Sequence, residues 1–127
     1  MSTCRTDIGG LRIAQRRLEY LAIGLLSYAA VTILERLAAE LGGQILTTEI
    51  YSIHGFSHIF FGVGLASTVL FLRPKSGARL VMLVVLLVGM VWELYEGSWL
   101  IGEPLDSIED VMLAMLSAYT FLCLERR

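Results

Sequence analysis

The stretch Ile50 to Leu72, IYSIHGFSHIFFGVGLASTVLFL, decides the fold: it runs 23 residues without a single Asp, Glu, Lys or Arg. At about 1.5 Å of rise per residue, a helix of that length crosses a hydrocarbon core about 30 Å thick. Arg73-Pro74 stops it. Working outward, three more apolar runs qualify, so the expected spans are residues 18–41, 50–72, 78–101 and 107–124. Gly42-Gly43 closes the first, and Gly102 with Pro104 follows the third. The fourth is uncharged only from Val111 to Leu124 and needs Ser107 to Asp110 to reach across. None of these runs alternates as a barrel strand does, and an open sheet cannot span lipid. The expected fold is all-α: a four-helix transmembrane bundle forming one domain over residues 1–127, with short loops that place consecutive helices antiparallel.

Composition agrees. Of the 127 residues 56% are hydrophobic, and the mean hydropathy is +0.70. A soluble domain of this size has too much surface for so apolar a chain. No basic stripe interleaved with aromatics is present, which excludes nucleic acid as an expected partner. Cys4 and Cys123 fall on the basic side, where thiols stay reduced, and neither has metal-type spacing. The first apolar run is too long for a cleaved leader and lacks a small-x-small site, so an uncleaved signal anchor is expected.

Charges sort by end. Arg5, Arg12, Arg16, Arg17, Arg73, Lys75, Arg79, Arg126 and Arg127 mark one set of helix ends. Glu35, Glu40, Glu49, Glu93, Glu96, Glu103, Asp106, Glu109 and Asp110 mark the other, where His54 and His58 join them. The positive-inside rule then puts the N-terminus, the Arg73 to Arg79 loop and the C-terminus in the cytosol.

Counting rise from each basic boundary locates the polar residues in depth. Glu93 lies about 21 Å above Arg79 and Glu96 about 25 Å. His58 and His54 lie about 22 and 28 Å above Arg73, and Asp110 and Asp106 about 24 and 30 Å above Arg126. Glu35 lies about 27 Å above Arg17. Four helices thus place ionisable groups in one stratum, the outer third of the bilayer. His54 and His58, Glu93 and Glu96, and Asp106 and Asp110 each share a helix face. Facing lipid is costly for such groups, so these faces should turn inward. Gly89, beneath Glu93, is expected to leave room for a cavity. Trp92 and Trp99 are expected as membrane-interface aromatics. Glu35, beside Arg36, fits either a local ion pair or the stratum itself.

Gathered carboxylates repel, so either several hold protons or a metal supplies positive charge. Imidazole nitrogens with carboxylate oxygens and no thiolate suit a divalent transition metal such as zinc, manganese or iron. The expected metal ligands are His54, His58, Asp106 and Asp110, with Glu93 or Glu96 as general base. Asp106 also fits an N-cap of the fourth helix. No HExxH motif is present. Three functions fit. The first is metal-assisted hydrolysis or transfer on a lipid or isoprenoid phosphate. The second is proton or metal-ion transport, although the path below the stratum is apolar. The third is a non-catalytic accessory subunit, as a homo-oligomer or within a larger membrane complex.

The order His54-Gly-Phe-Ser-His58-Ile-Phe-Phe-Gly62, then Trp92-Glu93-Leu-Tyr-Glu96, then Asp106-Ser-Ile-Glu-Asp110 resembles the VanZ-like membrane proteins and the related YjdF-type family. Those families carry an Asp-x3-His segment followed by phenylalanines and a glycine, a glutamate-bearing span, and an Asp-x3-Asp segment opening the last helix. The likeness covers roughly residues 50 to 120. It implies a shared polar set of His58, Glu93 or Glu96, Asp106 and Asp110, and a place in the bacterial inner (plasma) membrane. Here His54 stands where the pattern has aspartate, and Ala114 where VanZ-like members often have asparagine. The resemblance implies an architecture and a polar set, not a reaction.

Overall fold

In a computed structural model the chain folds as four helices: α1 Cys4–Leu41, α2 Thr47–Leu72, α3 Ala78–Glu96 and α4 Pro104–Glu125. The structure describes residues 4–41, 47–96 and 104–126, with side chains over 12–41, 53–95 and 107–126. Four windows, Arg12–Leu41, Ile53–Leu72, Ala78–Tyr95 and Ser107–Glu125, are long and apolar enough to cross a membrane. Helix α1 begins at Cys4, well before the expected Leu18. An apolar run marks where a helix enters hydrocarbon, whereas the backbone ladder continues into water until something breaks it, and the Gly9-Gly10 pair does not. The expected extension of the third helix to residue 101 falls outside the described residues. Between α2 and α3, Pro74 cannot continue a helical ladder. A tight turn replaces it, with Ser76 N–H donating to the Arg73 carbonyl at 2.9 Å.

Helix α2 is the hub. It packs against α1, α3 and α4; α4 also packs on α3, while the backbone of α1 approaches only that of α2 among the described helices. The four helices therefore do not close into a ring, and α1 and α3 stand apart with α2 between them. Helices α2 and α4 run parallel, since His58 meets Asp110 and, one turn on, Gly62 meets Ala114. At Gly62 the approach is so close that a Cβ would collide with the Ala114 carbonyl, so only glycine fits.

Small residues face inward and large ones outward, the usual arrangement where lipid, not water, bathes the surface. Ala66, Ala114 and Ala118 join Leu70, Val81, Val85 and Leu122 in the core. Leu25, Leu26, Ile33, Leu87, Val91, Met112 and Leu116 are exposed. The space expected beside Gly89 is not a cavity. Val111 fills it, its methyls lying 3.6 and 3.7 Å from where a Cβ would stand, because α3 uses that glycine to close on α4.

Candidate functional site

The two ends of the bundle are chemically distinct. One gathers Arg16, Tyr20, Pro74, Ser76, Glu125 and Arg126 around a shallow hollow. The other gathers the histidines and the buried acids, as the depth count requires.

At that second end, His54 and His58 lie one turn apart on α2 with their rings edge to face, centroids 4.9 Å apart. The Nε2 of His58 is 3.3 Å from Oδ2 of Asp110 on α4, and both side chains are buried. On the other flank, Nδ1 of His54 is 3.1 Å from Oε1 of Glu35 on α1. The Ser57 hydroxyl lies against the same Glu35 oxygen and 2.7 Å from the His54 carbonyl. One histidine face thus reaches α4 while the other reaches α1, and α2 holds both.

His54, His58 and Asp110 each offer a ligand atom, and these atoms lie within 4.8 Å of one another. A tetrahedral zinc with bonds of about 2.1 Å sets its ligand atoms roughly 3.4 Å apart. The His58–Asp110 edge, at 3.3 Å, already has that spacing, and no ligand atom of the group is more than 4.8 Å from another. Three protein ligands with one open position is the pattern of a reactive metal centre; a closed set of four is a structural one. An Nδ1–H donated by His54 to Glu35 would leave Nε2 as the nitrogen able to hold a metal, the orienting role that carboxylates commonly play behind ligating histidines.

Glu93 is 2% exposed, yet it does not join the three-residue group. It sits on the α3–α4 seam. Gly89 faces Val111 there, and one antiparallel turn further brings Glu93 level with Ser107. Ser107 is fully buried, and its hydroxyl has no hydrogen-bond partner among the described residues. Of the other residues expected in the site, the side chains of Glu96 and Asp106 lie outside the described residues, as does Trp99. Trp92 is 43% exposed and packs against Phe61, with ring centroids 5.9 Å apart.

Two residues outside the expected ligand and base set join the group, Glu35 and Ser57. Glu35 was open between Arg36 and the stratum, and the structure turns it to His54 and Ser57. The signal was depth: Glu35 and His54 come out at nearly the same height on antiparallel helices. Ser57 had no signal, since serine is common in membrane helices and only the geometry shows which one faces a carboxylate.

Beside this group is a cleft of about 280 Å³ lined by Tyr28, Val31, Thr32, Glu35, Ser57, His58, Phe61 and Trp92. Its floor is α2 and its walls are α1 and α3.

Fold and site together define a helical multi-pass membrane protein with a buried histidine–carboxylate group toward one end of its bundle. No family model matches the chain, and neither a curated protein nor a solved structure matches it.

Proposed function

We propose that this chain is a small inner-membrane protein carrying a divalent transition metal on His54, His58 and Asp110, with the site in the outer leaflet and both termini cytosolic. The observation that carries this reading is the convergence of three ligand atoms within 4.8 Å from two helices. Two of those side chains are buried at a depth where an uncompensated carboxylate is expensive. The orientation is supported by the arginines collected at the opposite end. Membership of the VanZ-like and YjdF-type group is part of the same proposal, resting on the motif order alone.

A metal bound there would polarise an oxygen and lower the pKa of a bound water. The protein's own part is to hold the ligands in place, with Glu35 orienting His54 and Ser57 bracing Glu35. Glu93, or Glu96 beside it, is the proposed base for a hydrolysis or transfer reaction. Below the site Ala66, Leu70, Val81, Val85, Ala118 and Leu122 pack together. The buried hydroxyls of Ser27 and Ser67 and the Tyr28–Thr68 pair lie beside them, but no carboxylate, imidazole or amine is among these residues. This favours the metal reading over a proton or ion path.

Elemental analysis of detergent-purified protein tests the proposal, wild type beside His58→Ala and Asp110→Asn. The expected result is near-stoichiometric metal in wild type and at least a tenfold loss in both variants. Wild type that stays metal-free after incubation with zinc, manganese and iron would overturn the metal centre. It would leave a hydrogen-bonded histidine–carboxylate cluster, as a transport or accessory role would use.

A further inference from the structure

We propose that the cleft between α1 and α3 admits a phosphate-bearing lipid sideways from the bilayer, with its head at His58 and its chain remaining in the membrane. This rests on the metal reading above and names the class of molecule on which the metal would act.

The opening follows from the packing. The backbone of α1 approaches only that of α2, and its side-chain contacts with α4 lie at the basic end, so no helix closes the space between α1 and α3 on the cleft side among the described residues. The gap lies within the membrane-length windows of α1, α2 and α3. What meets a lateral opening at that depth is hydrocarbon, so the molecule best placed to enter brings an apolar chain with it.

The lining is graded to match. Val31, Phe61 and Trp92 supply apolar wall, and Glu35, Ser57 and His58 supply the polar end. Tyr28 is fixed in the wall by its hydroxyl, 3.1 Å from Thr68 Oγ1, and by Gly64, where a Cβ would stand 3.0 Å from the ring. At about 280 Å³ the cleft falls just short of the range of ligand sites, which begins at about 300 Å³, so it suits a headgroup whose chain stays outside in the bilayer. His58 belongs both to the cleft lining and to the ligand group, so a headgroup at the polar end lies next to the proposed metal.

Charge selects the headgroup. When metal-free, the polar end offers a phosphate the carboxylate oxygens of Glu35 and, behind His58, of Asp110, which are poor partners for an anion. A bound dication reverses that balance and offers an open position to a hard oxygen donor. Retention of a phosphate lipid should therefore depend on metal, whereas a neutral lipid gains nothing from it.

The test uses full-length protein in detergent, zinc-loaded or chelator-stripped, mixed in turn with phosphatidylglycerol, a polyprenyl monophosphate and diacylglycerol. Native mass spectrometry counts retained lipid, and elemental analysis reads zinc in every sample. Val31→Trp narrows the cleft away from the three ligands. Thr32→Phe, on the exposed side of the same wall, covers the case in which the larger change misfolds. The expected result is retention of a phosphate lipid by zinc-loaded wild type, at least tenfold lower retention after stripping, and a similar loss in the variants at unchanged zinc. A wild type that takes up no zinc overturns the metal reading itself. The cleft assignment alone is overturned if zinc-filled wild type retains no phosphate lipid, or if zinc-filled, monodisperse variants retain it as wild type does. Equal retention of diacylglycerol overturns the phosphate assignment.

Discussion

Each end of the bundle carries an ionisable pair joining two helices, and the two pairs could hardly differ more in surroundings. At the basic end Arg16 lies 3.7 Å from Glu125, with side chains 65% and 28% exposed, and Tyr20 donates to the same carboxylate at 2.7 Å. At the other end His58 and Asp110 are 3.3 Å apart with side chains 7% and 8% exposed. An exposed ion pair contributes between nothing and about 1 kcal/mol. A buried one gives up hydration that its mutual attraction barely recovers, and apolar residues of similar size would often serve stability as well. The basic pair is thus a fastening that the fold could lose. The buried pair is poor value as a fastening, which points to chemistry as the reason for its presence.

The sharpest way to break that comparison is to make the buried end apolar in steps, in metal-free protein. His58→Leu leaves the Asp110 carboxylate buried without its imidazole, at an expected cost of about 3–5 kcal/mol. Asp110→Leu should cost less, because an imidazole can release its proton and stay neutral. The double variant His58→Leu/Asp110→Leu should recover most of the loss while abolishing metal uptake. Unfolding in detergent, followed by circular dichroism, measures all three. A double variant as unstable as the two single losses added together would show that each residue stabilises the fold through contacts other than the pair, and the contrast between the ends would collapse.

Between the two ends, the α2–α4 crossing predicts a smaller effect with a built-in control. In Gly62→Ala the new methyl collides with the Ala114 carbonyl and the Ser117 hydroxyl before relaxation. Backbone must move, and overpacking of this kind costs about 1–3 kcal/mol. Gly89→Ala meets only Val111 methyls at ordinary distance. Alanine's better helix propensity, about 1 kcal/mol over glycine, should leave it neutral or slightly stabilised. If the two substitutions behave alike, the parallel α2–α4 register is wrong, and with it the route by which Asp110 reaches His58.

These variants also mark what the sequence could and could not show. The spans were legible because hydropathy is a local property, and the polar layer because helical rise is constant along any helix. That Asp110 and His58 would share a level followed from counting. Which helices touch did not, because adjacency is written in pairs of faces that only packing brings together. Gly62 against Ala114 is one such pair and Gly89 against Val111 another, the latter mistaken for the edge of a cavity. The start of α1 at Cys4 was hidden for a different reason: nothing in hydropathy records a helix once it has left the hydrocarbon. Glu35 was ambiguous because its neighbour Arg36 offered a partner in sequence, whereas its partners in space, His54 and Ser57, lie on another helix.

The smallest effect belongs to the basic end, and it completes the comparison because it should also respond to salt. Arg16→Gln removes a guanidinium that is mostly solvated, and Glu125→Gln keeps an oxygen to accept the Tyr20 hydroxyl. Neither should cost more than about 1 kcal/mol. Raising ionic strength from about 0.15 M to 1 M shortens the screening length from about 8 Å to about 3 Å. The difference between wild type and Arg16→Gln should shrink accordingly. Buried charges are screened far less, so the penalty of His58→Leu should hold through the same titration. Unfolding midpoints of the two variants against wild type at each salt concentration make the measurement. A salt-insensitive Arg16→Gln penalty as large as that of Gly62→Ala would mean that the basic end is also a buried site. The asymmetry from which the polar end draws its functional reading would then be lost.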